Sequence, residues 1–221
     1  MKKVYLNLPR YKNFNNSSCF ITTIAMILKY YGTRINQKEI FERAKVYDPD
    51  DKKRCVGSTV PSIMLALKDY GYKMIAWHDK DEERIKKSGE GTVKFYQIWD
   101  KQIKEAEKLG ILESHEHGKL SYIKKFLNQG IPVIVGVKSK DFYEGNPKWE
   151  NSIYNKKWPN TTNHVVVITG YEGDEYIFND SSPFFNEKEG KDRRIPEKRL
   201  EKAWKNVNNV KNAIFILKKI N

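Results

Sequence analysis

The chain has 221 residues, 39% of them hydrophobic and 13% aromatic, which suits one domain of ordinary size with a buried core and a polar surface. Its formal charge of +13 comes from 41 Lys and Arg against 28 Asp and Glu. The basic residues run from end to end, and the densest groups, Lys52-Lys53-Arg54, Lys191-Asp192-Arg193-Arg194 and Lys218-Lys219, are short and far apart. With no zinc-finger spacing, no basic region leading into heptads and no RNP-like motif, nucleic acid is disfavoured as a partner and a lysine-rich solvated surface is expected.

Val4–Leu8 alternates like a short strand that Pro9 ends. Apolar residues at 21, 24, 25, 28 and 31 then recur at helical spacing, with Ser17 or Ser18 as N-cap and Gly32 as the stop. Asn36 caps a second helix running to about Val46, and a charged loop spans 47–54. Pro61 opens a third helix, closed by Gly71 and followed by a strand from Tyr72 to Trp77. From His78 to Gly118 the pattern is charged and loses its period apart from a helix near 98–109; this stretch reads as an excursion over a cleft within one domain spanning 1–221. Further helices are expected at 121–128 and up to Trp204, and strands at 130–137, 165–169, 176–178 and 213–217. An aromatic loop carrying Trp149 and Trp158 precedes His164. Helices gather first and strands last, which indicates an α+β fold. No apolar run approaches the ~18 residues of a membrane span. The N-terminus also lacks the roughly 7–15 apolar residues of a secretory signal, so a cytoplasmic location is expected.

Chemistry concentrates at three positions. Cys19 opens the first helix, where unpaired N–H groups and the helix dipole favour a thiolate; a lone cysteine is equally often a small buried hydrophobe. His164 stands at the mouth of an apolar strand, unlike His78, His115 and His117, which lie among charges. The turn at Gly173 brings Asp180, or in second place Asn179, back beside His164, where a carboxylate would fix the imidazole's tautomer. A thiol, an imidazole and a carboxylate make a nucleophile, a base and an orienting group. His115-Glu116-His117 with Cys55 or Glu113 is a much weaker metal constellation, and no Gly-x-Ser-x-Gly, Walker or dinucleotide loop is present.

The segment Asn13 to Gly32, with Cys19 six residues after a side-chain amide, resembles the nucleophile helix of the C39-like (bacteriocin-processing type) papain-fold cysteine peptidases. Gly57 before the helix with Leu65 and Leu67, the run Leu127-Asn128-Gln129-Gly130-Ile131-Pro132-Val133-Ile134, Asn163-His164-Val165-Val166-Val167-Ile168-Thr169-Gly170-Tyr171, the downstream Asp180 and a late Ala203-Trp204 helix follow in the same order. The resemblance implies a papain-like fold, with the nucleophile helix packed on a C-terminal antiparallel sheet. It further implies Cys19 as nucleophile, His164 as base and then acid, Asp180 as its orienting carboxylate, no cofactor or metal, and a peptide or protein substrate. Asn13 stands where that family carries an oxyanion-stabilising glutamine, and Phe20 where it favours glycine after the cysteine. The shorter amide could displace the oxyanion hole, whose loss typically costs ~10²–10³ in rate, and the ring could narrow the cleft. A peptide-binding domain without catalysis and an acyltransferase on the same fold are the alternatives.

Overall fold

The computed structural model describes residues 2–15, 17–47, 55–157, 163–207 and 210–220; most of the charged loop at 47–54, Trp158 and the side chain of Cys55 lie outside them. The chain starts with strand β1 (Lys3–Tyr5), then helices α1 (Cys19–Tyr30) and α2 (Gln37–Ala44), a small antiparallel pair β2 (Lys45–Tyr47) and β3 (Cys55–Ser58), and helix α3 (Val60–Ala66). Strand β4 (Tyr72–Lys80), helices α4 (Glu82–Lys87) and α5 (Glu90–Lys108), and strand β5 (Leu112–His115) follow. After α6 (Ser121–Leu127) and strand β6 (Val133–Lys138) come three short helices, α7 (Ser139–Phe142), α8 (Pro147–Glu150) and α9 (Ile153–Lys157). The last part holds β7 (Asn163–Glu172), β8 (Glu175–Asn179), β9 (Arg193–Pro196), α10 (Glu197–Lys205) and β10 (Val210–Lys219).

Eight of these strands form one sheet in the order β5-β4-β10-β6-β7-β8-β9, with β1 alongside the far end of β7. All its pairings are antiparallel except β4 with β5, which the helical crossover through α4 and α5 makes parallel. The stretch read as an excursion therefore begins in β4 and contributes β5 to the sheet, and its Ala106, Ile111 and Leu112 belong to the core.

Alternation along β10 assigns the two faces of the sheet. Ala213, Phe215 and Leu217 join the core beneath α1, α2 and α3, while Ile214 and Ile216 join the core beneath α6 and α10. Helix α1 is buried along every residue from Phe20 to Leu28, Thr22 and Thr23 included, so the expected single apolar face widens to a fully enclosed helix. That burial anchors the residue at its N-terminus. At the other edge Gly170 is needed: a Cβ there would collide with the carbonyl oxygen of Val4, closing the space through which β1 pairs with β7.

Asn36 caps α2 as its sequence suggests, accepting the Glu39 N–H at 3.3 Å. Ser18 does not cap α1. Its hydroxyl turns back, accepting N–H groups from Phe14 and Asn15 at 3.2 Å each and donating to the Asn15 carbonyl at 3.1 Å. The serine thus ties down the loop that carries Asn13 and leaves the first turn of α1 without a side-chain cap.

Candidate active site

Cys19 is the first residue of α1, a partly exposed free thiol. His164 is the second residue of β7, opposite Val137 of β6, and its ring is buried at 8% exposure. The thiol and the imidazole border the same two cavities, and the thiol helps raise the pKa of the ring. The ring's Nε2 faces Asp180 Oδ1 at 3.0 Å. An ionised carboxylate only accepts, so Nε2 carries the proton in this bond. Asn179 takes no part: its amide donates to the carbonyls of Leu8 and Pro9 at 3.2 Å, and its oxygen accepts the Asp192 N–H at 2.9 Å.

Asp180 is fully buried just past the end of β8. Besides His164, its Oδ1 accepts the Ser182 N–H at 2.8 Å, and its Oδ2 accepts the Tyr143 hydroxyl at 2.7 Å. The Ser182 hydroxyl closes the circuit, 2.9 Å from Tyr143 Oη and 3.2 Å from His164 Nε2. Beneath the carboxylate, the buried Arg10 donates to the carbonyls of Asp180 and Ser182, each at 2.9 Å, and of Phe185 at 3.2 Å. Gly190 makes room for this arginine: a Cβ there would lie 2.5 Å from Arg10 Nε and 2.7 Å from the Asp180 carbonyl.

These contacts decide the electrostatics. Burial on its own raises the Asp180 carboxyl and depresses the His164 imidazole, because both charged forms lose water. For Asp180 the bond and charge of His164 and the Ser182 N–H outweigh burial and hold the group at about 2. For His164 the bonds to Asp180 and then Cys19 outweigh burial and push the ring up to about 10. Tyr143 is driven well above the ordinary tyrosine value, first by burial and then by the adjacent Asp180 charge, so its hydroxyl remains a donor. The imidazolium is the favoured form beside the thiol.

Two cavities flank the Cys19–His164 pair. The smaller, of about 50 Å³, is bounded by Asn13, Ser139, Tyr143, Trp149 and Phe184. Asn13 thus faces the same space as Cys19, its backbone N–H fixed on the Ser181 carbonyl at 2.8 Å and its side-chain oxygen buried without a hydrogen-bond partner. The larger, of about 260 Å³, extends the other way beneath α5. The Phe20 ring is buried against Phe215, edge to face at 5.2 Å, and lines the larger cavity.

The sequence pointed to Cys19, His164, Asp180 and Asn13, and these four converge. It did not point to Tyr143, Ser182 or Arg10. Only Ser182 left a trace, since Asp180-Ser181-Ser182-Pro183 is an Asx-turn pattern and the Ser182 N–H folds back on the Asp180 side chain. The other three histidines stay apart from the site. His115 stacks on Trp77 and lies 3.5 Å from Glu113, His117 pairs with Asp79 at 3.2 Å, and the buried His78 stacks on Trp99. Among the described residues no group of three or more His, Cys, Asp or Glu could hold a metal ion, and no helix is long and apolar enough to cross a membrane.

Residues 5–212 match the model of the Peptidase_C39 like family. No curated protein matches the chain. Among solved structures, a candidate C39-like peptidase from Bacillus anthracis aligns over 99% of both chains at 19% identity, with a TM-score of 0.53. Xylellain, a cysteine protease from Xylella fastidiosa, aligns over 99% of this chain and 86% of its own at 13% identity, with a TM-score of 0.53. A double-glycine-motif protease from an AMS/PCAT transporter, solved with its leader peptide, aligns over 99% of both chains at 14% identity, with a TM-score of 0.47.

Proposed function

Because the chain belongs to the Peptidase_C39 like family, whose members share a papain-like α+β fold, we propose that it hydrolyses peptide bonds with Cys19 as nucleophile, His164 as base and acid, and Asp180 as the orienting carboxylate. The observation that carries this is the His164 ring, bound to the buried Asp180 at 3.0 Å through Nε2 and bordering the same two cavities as the Cys19 thiol, which helps raise the ring's pKa.

In the first half-reaction the Cys19 thiolate attacks the carbonyl carbon. The Asn13 amide, in the same cavity, helps hold the oxyanion. The C–N bond then breaks, and the departing amine takes the proton from His164, leaving a thioester on Cys19. In the second half-reaction water gives its proton to His164 and attacks the thioester. The acid leaves, and Cys19 and His164 return to their starting ion pair. Asp180 keeps its charge throughout, since its carboxyl is held at about 2.

The test is cleavage of a diverse peptide mixture followed by mass spectrometry, with wild type, Cys19→Ala and His164→Ala. New termini in the wild-type digest that vanish in both variants are expected. Cleavage that survives Cys19→Ala would exclude the mechanism.

A further inference from the structure

The larger cavity beside Cys19 has walls of a different kind from the smaller one. Its roof is the aromatic face of α5: Phe95, Tyr96 and Trp99 sit at helical spacing, half-buried, with Tyr96 stacked on Trp99 at 5.1 Å and Phe95 edge-on to Tyr96 at 5.4 Å. Its floor includes Phe20, Val210 and Phe215. Cys19, His164 and Asn163 border both this cavity and the smaller one, so the two are continuous across the reactive pair. Helix α5 is fixed against the cleft by the Thr59 hydroxyl, which donates to Gln102 at 3.0 Å, and by Trp99, which stacks on the buried His78.

We propose that this cavity is the specificity pocket of the site, and that it admits an uncharged aromatic or branched aliphatic side chain lying within two residues of the scissile bond. The proposal deepens the peptidase assignment and rests on it. Size supports the occupant. An enclosed apolar cavity of ~150 Å³ holds benzene, so about 260 Å³ takes a phenylalanine or leucine side chain, while the 50 Å³ on the other side takes little beyond a small residue. Charge supports it too. On a chain of net charge +13, no lysine, arginine, aspartate or glutamate lines this cavity among the described residues. A charged side chain would lose its water there, and the charged group bordering the cavity, His164, is already bonded to Asp180. Helix α5 is thus a specificity element that the sequence carries inside its least regular stretch.

The experiment labels Cys19 with acetyl-Phe-Gly-, acetyl-Gly-Phe-, acetyl-Gly-Gly- and acetyl-Lys-Gly-chloromethyl ketones. Each rate is divided by that of iodoacetamide on the same protein, so that changes in general thiol reactivity cancel. At least one phenylalanine probe is expected to react about tenfold or more faster than the Gly-Gly probe, with the lysine probe gaining nothing. Phe95→Ala and Trp99→Leu, one change at the rim and one that keeps bulk in the wall, are each expected to remove most of that advantage. Phenylalanine probes no faster than Gly-Gly, or an advantage untouched in both variants, would overturn the proposal. Calorimetric binding of acetyl-Phe-Gly-amide and acetyl-Gly-Gly-amide to Cys19→Ala reads the pocket without the chemistry. A phenylalanine preference there alongside an inert wild-type thiol upholds the pocket and defeats the peptidase assignment; a reactive thiol with no preference does the reverse.

Discussion

Replacing Asp180 by asparagine separates the charge of this group from its shape. The carboxylate accepts from His164 at 3.0 Å, the Ser182 N–H at 2.8 Å and the Tyr143 hydroxyl at 2.7 Å. An asparagine oxygen in the Oδ1 place keeps the first two bonds, and the tyrosine hydroxyl can reverse to accept from the new amide. Geometry survives and the negative charge does not. One charge-assisted hydrogen bond is worth ~1.5–3 kcal/mol, and 1.36 kcal/mol corresponds to one unit. The His164 imidazolium, held at about 10 against the pull of burial by Asp180 and Cys19, should therefore lose its proton roughly 1–2 units lower. In a cysteine–histidine pair that deprotonation is the alkaline limb of the rate. The assay is the pH profile of kcat/KM for wild type and Asp180→Asn, with near-UV circular dichroism to establish that both are folded. An alkaline limb at the wild-type position in a folded Asp180→Asn protein would refute the electrostatic role given to this carboxylate.

The same two groups govern stability against pH. His164 stands at about 10 in the fold against an ordinary 6.5, so its contribution is complete below 6.5 and is lost as pH rises through 10; Asp180 stands at about 2 against 3.8, so its contribution is complete above 3.8 and is lost as pH falls toward 2. Thermal melts from pH 3 to 10 should show a smaller alkaline decline for His164→Gln than for wild type. Asn13→Ala should lower kcat by ~10²–10³, and should leave thermal stability within ~0.5 kcal/mol because the amide oxygen it removes has no hydrogen-bond partner; steady-state kinetics and a melt check both. Arg10→Met keeps the bulk of the side chain but strands three carbonyls, those of Asp180, Ser182 and Phe185. A loss of about 3 kcal/mol is expected, which for a chain of this size lowers Tm by ~6–12 °C, measurable by calorimetry.

What could be read from the sequence was local. Helix α1 shows its period in Ile21, Ile24 and Leu28, and its end in Gly32, because burial and chain reversal write themselves into neighbouring residues. His164 was legible because a polar ring at the start of a β-branched run breaks the pattern, and Asp180 because a tight hairpin fixes its distance from that strand. The supporting groups were not legible. Arg10 and Tyr143 reach the Asp180 segment from 170 and 37 residues away through tertiary packing, and neither carries a local mark. Helices α7, α8 and α9 have four, four and five residues, too short for an amphipathic period, and only Asn146 before Pro147 announces one of them. Ser18 misled for the opposite reason. It occupies the N-cap position, but its hydroxyl serves the preceding loop.

The central claim is that Cys19 and His164 form an activated pair, and the rate of Cys19 alkylation by iodoacetamide from pH 4 to 9 tests it most directly. Wild type and His164→Ala are compared in a Cys55→Ser background, so that one thiol is read. An unassisted thiol ionises near ~8.5. Fast alkylation well below that pH, strongly slowed by His164→Ala, is the predicted result. A rate that rises only near pH 8.5 and is the same with and without the imidazole would contradict the pair, and with it the proposed hydrolase.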